Sequence, residues 1–184
     1  MDAEILLWIQ NHLRNESFTP LMKGITMLGE AGWFWIFLCV LMLLKKESRR
    51  TGFTGIVALL TSGIINNLIL KNLVGRVRPY EVIEGLELLG KKAWDPSYPS
   101  GHSAASFATA TVFFLLLPKR FGIPALVLAA LISFSRLYIG IHYPSDVLFG
   151  IMDGIFIGIF AVWFMKRLEK WLQERNQKEI ETLK

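Results

Sequence analysis

The chain has 184 residues, 53% hydrophobic and only 19% charged, with a formal net charge of +5 and a mean hydropathy of +0.43. Soluble domains are about 45–50% apolar and roughly 25% charged, so the balance argues against a water-soluble globule and for one integral membrane domain. The basic residues sit in tight groups between apolar runs, as membrane flanks do, which argues against a nucleic-acid partner.

The amino terminus, MDAEILLWIQ, starts with acidic residues and lacks the basic start and cleavage site of a secretory signal. Ile5, Leu6, Trp8, Ile9 and Leu13 share one face, with Asp2, Glu4, Gln10, Asn11 and Arg14 elsewhere. Thr19–Pro20 then reads as a second helix start, with proline in its first turn. Phe18, Leu21, Met22, Ile25 and Leu28 follow at helical spacing. Residues 1–28 are therefore expected as one or two amphipathic helices at the membrane interface. A sixth span is the weaker alternative, because charge interrupts the segment.

Five segments are expected to cross the bilayer: residues 29–44, 53–70, 102–117, 123–141 and 147–165. Backbone groups in hydrocarbon must pair within their own segment, so the expected class is all-α, a polytopic helical membrane protein. Lys45, Lys46, Arg49 and Arg50 follow the first span, Lys119 and Arg120 the third, and Lys166, Arg167 and Lys170 the fifth. With alternating helix directions these groups share one face, which the excess of basic residues makes cytoplasmic. Cys39, the single cysteine, lies in an apolar run and reads as an inert buried thiol.

Three clusters occupy the opposite, extracytoplasmic ends: KNLVGRVRP at 71–79, PSGH at 99–102 and SRLYIGIHYPSD at 135–146. Guanidinium forks suit phosphate oxygens, so Arg78 and Arg136 are candidate phosphate grips, with Lys71 adding a point charge. One such cation alone would read as a snorkelling end meeting lipid headgroups. All three adjoin histidines, which favours a phosphate site. Ser100 and Gly101 precede His102 at a helix start, where N–H groups can cradle an anion; a plain helix cap is the alternative for that pair.

These clusters, in order and without substitution, resemble the pattern K-x6-RP, PSGH and SR-x5-H-x3-D of the type 2 phosphatidic acid phosphatase (PAP2) superfamily. That superfamily also includes soluble vanadium haloperoxidases. The resemblance implies a haloperoxidase-like helical core, a cofactor-independent phosphatase, and a lipid phosphate as substrate. The lipids it suggests are undecaprenyl diphosphate, phosphatidylglycerophosphate and phosphatidic acid. The short interfacial amino terminus resembles compact undecaprenyl diphosphate phosphatases, and the three lipids are not separable from the sequence.

The chemistry of the residues leads to the same roles. A neutral imidazole at His142 can attack phosphorus and form a phosphohistidine. Asp146, four residues on, can hold the ring's other N–H and stabilise the developing cation. His102 is the candidate acid for the leaving oxygen and then the base for water. Lys71, Arg78, Arg136 and the Ser100–Gly101 backbone can stabilise the transition state without a metal. A two-metal site would need a carboxylate cluster, and none is apparent.

The stretch from Tyr80 to Tyr98 is long enough for a functional loop, and it is expected to border the pocket and help choose the headgroup. Gly150, Gly154 and Gly158 recur every four residues, a close-packing face within one subunit or, as a minority option, between two. Asp153 in the same span is expected to bond Asn66 or Asn67 rather than relay protons. The tail 166–184 reads as a solvated cytoplasmic helix, with Glu174 and Lys178 at a stabilising spacing. The chain is thus expected to be a single domain, 1–184, with a transmembrane core over 29–165. The rivals are a lipid-phosphate binder or transporter without catalysis and, more remotely, a haloperoxidase. Oligomeric state is not legible.

Overall fold

In a computed structural model describing residues 1–182, the chain forms helices joined by turns and one long loop, with no strand among the described residues. The end of the expected tail, Leu183 and Lys184, lies outside the described residues. Helix α1 (Asp2–Leu13) carries Asp2 and Glu4 in its first turn, where carboxylates complement the positive end of the helix. It buries Leu6 and Ile9 but exposes Ile5 and Trp8, so only part of the apolar face read from the sequence packs against protein.

Helix α2 (Thr19–Leu28) has Pro20 in its first turn. It runs into a short 3₁₀ turn (Glu30–Gly32) in which Ala31 and Gly32 take left-handed φ values of 49° and 68°. Helix α3 (Trp33–Leu43) follows, bent 46° from α2. Residues 19–28, expected as an interfacial helix, thus lead directly into the first apolar helix through this bend. Within the apolar stripe of α2, Met22 and Ile25 pack against Tyr138 and Ile139, while Leu21 stays exposed.

Helix α4 (Arg49–Ser62) continues through a π-helical segment (Gly63–Leu70) into the single turn α5 (Lys71–Val74). After α6 (Pro79–Val82) comes the loop, then α7 (Gly101–Leu116), α8 (Lys119–Tyr138) and α9 (Pro144–Thr182). Among the described residues, Arg49–Val82, Lys119–Tyr138 and Pro144–Glu179 are long and apolar enough to cross a membrane, a count that rises to four if the bent pair α2–α3 is taken as one span. Helix α7 has 16 residues, or about 24 Å at 1.5 Å per residue, short of the ~30 Å core.

Helix α7 is the hub, packed on α4, α8 and α9. Its Ala104, Ala108 and Ala110 are fully buried, and so are Ser103, Ser106 and Thr109. Small residues let the neighbouring backbones close in, and α9 answers with its glycine stripe. A Cβ on Gly150, Gly154 or Gly158 would stand 2.7, 2.5 or 2.7 Å from the carbonyl oxygens of Ser100, Ala104 and Ala108. The stripe thus serves packing within the chain. Asn66 donates to Asp153 at 2.7 Å, tying the π-helical segment to α9 as the sequence suggested. At one end of the bundle Arg50 pairs with Glu169 at 2.7 Å, among the basic flanks. The three motif clusters lie at the other end.

Candidate active site

Local chemistry delivers each side chain. Gly75, at φ 61°, ends α5 and sends the chain out through Arg76 to Arg78. Arg78 precedes Pro79, which opens α6. Ser100 caps α7, its Oγ accepting from the Ser103 N–H at 3.4 Å. Gly140, at φ 77°, ends α8 and turns the chain so that His142 points inward. Pro144 then opens α9 and sets Asp146 in its first turn.

Lys71 and Arg78 meet at Asp95, Arg136 lies within electrostatic reach of both, and all three are buried. Lys71 Nζ donates to Asp95 Oδ2. Arg78 donates from Nε to the Asp95 carbonyl at 3.0 Å and from Nη2 to Asp95 Oδ1 at 2.8 Å. Its Nη1 reaches the Ile141 carbonyl at 2.9 Å and His142 Nε2 at 3.1 Å. Arg136 donates from Nη1 to Thr26 Oγ1 at 2.6 Å, while its Nε is buried with no partner. A buried guanidinium N–H left unpaired is a donor awaiting an acceptor.

His142 is 1% exposed. An Arg78 N–H aimed at Nε2 requires a lone pair there, so the proton of the neutral ring sits on Nδ1. Nδ1 faces Asp146 Oδ2 at 3.5 Å, beyond a good hydrogen bond, and has no other partner. Burial pushes the His142 pKa down to about 3, with the Arg78 and Arg136 charges adding and the Asp146 bond opposing. The ring is therefore neutral at physiological pH, the form a nucleophile needs.

Asp146 is fully buried. Its Oδ1 accepts from Arg76 Nη1 at 2.6 Å; its Oδ2 accepts from Ser97 Oγ at 2.5 Å and from the Tyr143 N–H at 3.0 Å. His102 lies in the first turn of α7, within electrostatic reach of Arg136, His142, Lys71 and Arg78. Gly29 makes room for it, since a Cβ there would stand 2.8 Å from His102 Cδ2.

The Ser100–Gly101 pair is placed less openly. The Ser100 N–H bonds the Asp146 carbonyl at 3.1 Å and its hydroxyl joins Ser103 at 3.0 Å. Gly101 lies against Asn67, whose Oδ1 would be 2.6 Å from an added Cβ. Gly101 and His102 stand at the first helical positions, whose N–H groups lack intrahelical acceptors.

Several contributors escaped sequence reading. Arg76 bridges Asp146, Ser145 (2.7 Å) and Asp2 (3.0 Å), with its guanidinium 3.7 Å over the Tyr143 ring. Asp2 also bonds Ser145. Arg14 donates to the Tyr138 and Glu87 carbonyls, both at 2.8 Å, so α1 clamps both the His142 turn and the long loop. The available signal was Arg76 itself, a second arginine inside the first cluster.

Residues 52–170 match the model of the PAP2 superfamily. The chain is 30% identical to an undecaprenyl-diphosphatase of Sulfolobus acidocaldarius, covering 89% of this chain and 81% of that one. It is 31% identical to phosphatidylglycerophosphatase B of Bacillus subtilis, covering 88% and 82%. The crystal structure of a transmembrane PAP2-type phosphatidylglycerolphosphate phosphatase from Bacillus subtilis superposes with a TM-score of 0.74 at 28% identity, over 90% of this chain and 85% of that chain.

Proposed function

Since the chain belongs to the PAP2 superfamily and is a lipid phosphatase of the membrane, we propose that it removes a terminal phosphate through a phosphohistidine at His142. The observation that carries this reading is His142 itself. It is a neutral, buried imidazole with Nε2 turned to Arg78 and Nδ1 turned to Asp146.

Nε2 attacks phosphorus in line as Arg78 Nη1 shifts from the ring nitrogen to a phosphoryl oxygen. A P–N bond forms and the P–O bond to the lipid breaks. His102 gives its proton to the departing oxygen, then takes one from the water that cleaves the P–N bond. Asp146 closes on Nδ1–H as the ring becomes cationic. Active-site hydrogen bonds commonly tighten in this way when substrate binds. Lys71, Arg78, Arg136 and the first N–H groups of α7 hold the equatorial oxygens.

The names of the relatives support undecaprenyl diphosphate or phosphatidylglycerophosphate as substrate. The basic groups gathered at the far end of the bundle support an extracytoplasmic site and a cytoplasmic carboxyl-terminal helix. Phosphate release from these two lipids and phosphatidic acid, by purified protein in detergent, tests the reading. One lipid should turn over, and its turnover should be lost in His142→Ala. Release from none would leave the pocket a binding site only.

A further inference from the structure

Asp95 sits on the loop between α6 and α7, beside the fully exposed Trp94. Its two carboxylate oxygens take Lys71 Nζ and Arg78 Nη2, and its carbonyl takes Arg78 Nε. A guanidinium carries five N–H donors. At rest Arg78 directs two of them, on Nη1, to Ile141 and His142. Bidentate recognition of phosphate needs two adjacent donors, and the adjacent Nε and Nη2 pair is the edge that Asp95 occupies. Phosphate and Asp95 therefore compete for one edge of one residue. The competition is at the threshold of the site: the Asp95 side chain is 49% exposed, the Arg78 side chain 5%.

We infer that Asp95 is a specificity residue, which fills the phosphate cradle at rest and yields it to doubly charged terminal phosphates but not to singly charged phosphodiesters. The inference rests on reading Lys71, Arg78 and Arg136 as the phosphate cradle. A phosphodiester brings one negative charge, no more than the carboxylate it must displace, and the carboxylate is tethered in place at high effective concentration. A terminal phosphate brings a charge of about −1.5 to −2 and so gains up to about twice the attraction to the same cations. The distinction matters in a bilayer. Phosphodiester headgroups crowd its surface, and an unguarded triple cation would hold one of them almost permanently.

Phosphate release from undecaprenyl diphosphate and from phosphatidylglycerophosphate in mixed micelles, with rising phosphatidylglycerol, tests this. Each rate is compared with that of the same protein diluted equally by neutral detergent. Wild type and Asp95→Glu should resist the phosphodiester. Asp95→Asn should be inhibited by it and should bind inorganic phosphate more tightly, by roughly tenfold if the resting cradle is open about a tenth of the time. Asp95→Asn as resistant as wild type, or wild type as sensitive as Asp95→Asn, overturns the inference. Folding of the variant is not a precondition for a second readout. Inorganic phosphate should change the tryptophan emission of wild type by freeing Asp95, a change lost in Trp94→Phe and not produced by dimethyl phosphate. Emission unmoved at saturating phosphate overturns the inference as well. Absence of release by wild type without phosphatidylglycerol would instead remove the phosphatase reading, and the inference with it.

Discussion

Arg76 Nη1 lies 2.6 Å from Asp146 Oδ1, and the same guanidinium reaches Asp2 at 3.0 Å through Nη2. One residue thereby holds Asp146, which faces His142 Nδ1 at 3.5 Å, and ties the first helix to the site. Hydrogen bonds to charged groups are worth about 1.5–3 kcal/mol. Arg76→Gln should therefore lower kcat by roughly 10–100-fold, with a smaller change in KM. Steady-state kinetics on the lipid substrate checks this, and equal losses in both parameters would deny Arg76 a role in orienting the dyad.

His102 and His142 should fail in different ways. His142→Ala should form no phosphoenzyme. His102→Gln should slow turnover by about 10²–10⁴-fold, the usual worth of a positioned acid–base group. An alkaline quench, which spares P–N bonds, should still trap labelled protein in the His102 variant if the leaving group is diphosphate-derived and needs little protonation.

The buried His142 makes stability depend on pH. Its folded pKa is about 3, against about 6.5 unfolded. Below 6.5 the unfolded chain binds the proton first, so stability rises with pH. The contribution is complete above about 6.5 and is lost as pH falls through the window between the two values. Thermal unfolding in detergent from pH 7 to 4 should show a decline that is shallower in His142→Gln.

Thr26 Oγ1 accepts from Arg136 at 2.6 Å. Thr26→Val removes the acceptor and frees a buried guanidinium, so KM should rise by about tenfold, with kcat less affected. Thr26→Ser, which keeps the hydroxyl, should restore wild-type KM.

Gly154 allows α9 to meet α7, since an added Cβ would stand 2.5 Å from the Ala104 carbonyl oxygen. Backbone cannot move aside as a flexible side chain can. Gly154→Ala should cost about 1–3 kcal/mol, the range for overpacking a tight contact, and lower the unfolding temperature in detergent. An unchanged temperature would mean that the helices part without strain.

The sequence was most legible where chemistry is local. Proline, serine and glycine mark the starts of α7 and α9 and the turn before His142, so the motifs could be set at helix ends before any fold was known. The glycine stripe was readable from its spacing, and the Asn66–Asp153 pair, though 87 residues apart, because a polar or charged group in an apolar span needs a partner. The amino-terminal contribution was not readable. Asp2, Arg14 and Thr26 act through contacts 74 to 143 residues away in the case of Asp2, and 124 and 110 in the other two, and no periodicity encodes such distances. The break at Ala31 and Gly32 was also hidden, because a left-handed alanine has no compositional mark. Asp95 was visible only as one acid in a mixed loop. Its role depends on Lys71 and Arg78 being brought to the same place.

The π-helical winding of residues 63–70, in which the Lys71 N–H bonds back to the Asn66 carbonyl, amounts to a phase setting between membrane helix and pocket. Regular winding advances about 100° per residue, so removing a single residue there would rotate everything downstream by about that angle. Lys71 would swing away from the cradle although no catalytic residue had been touched. Length in this stretch is thus under tighter constraint than side-chain identity, and a lone deletion should silence the enzyme where many substitutions would not.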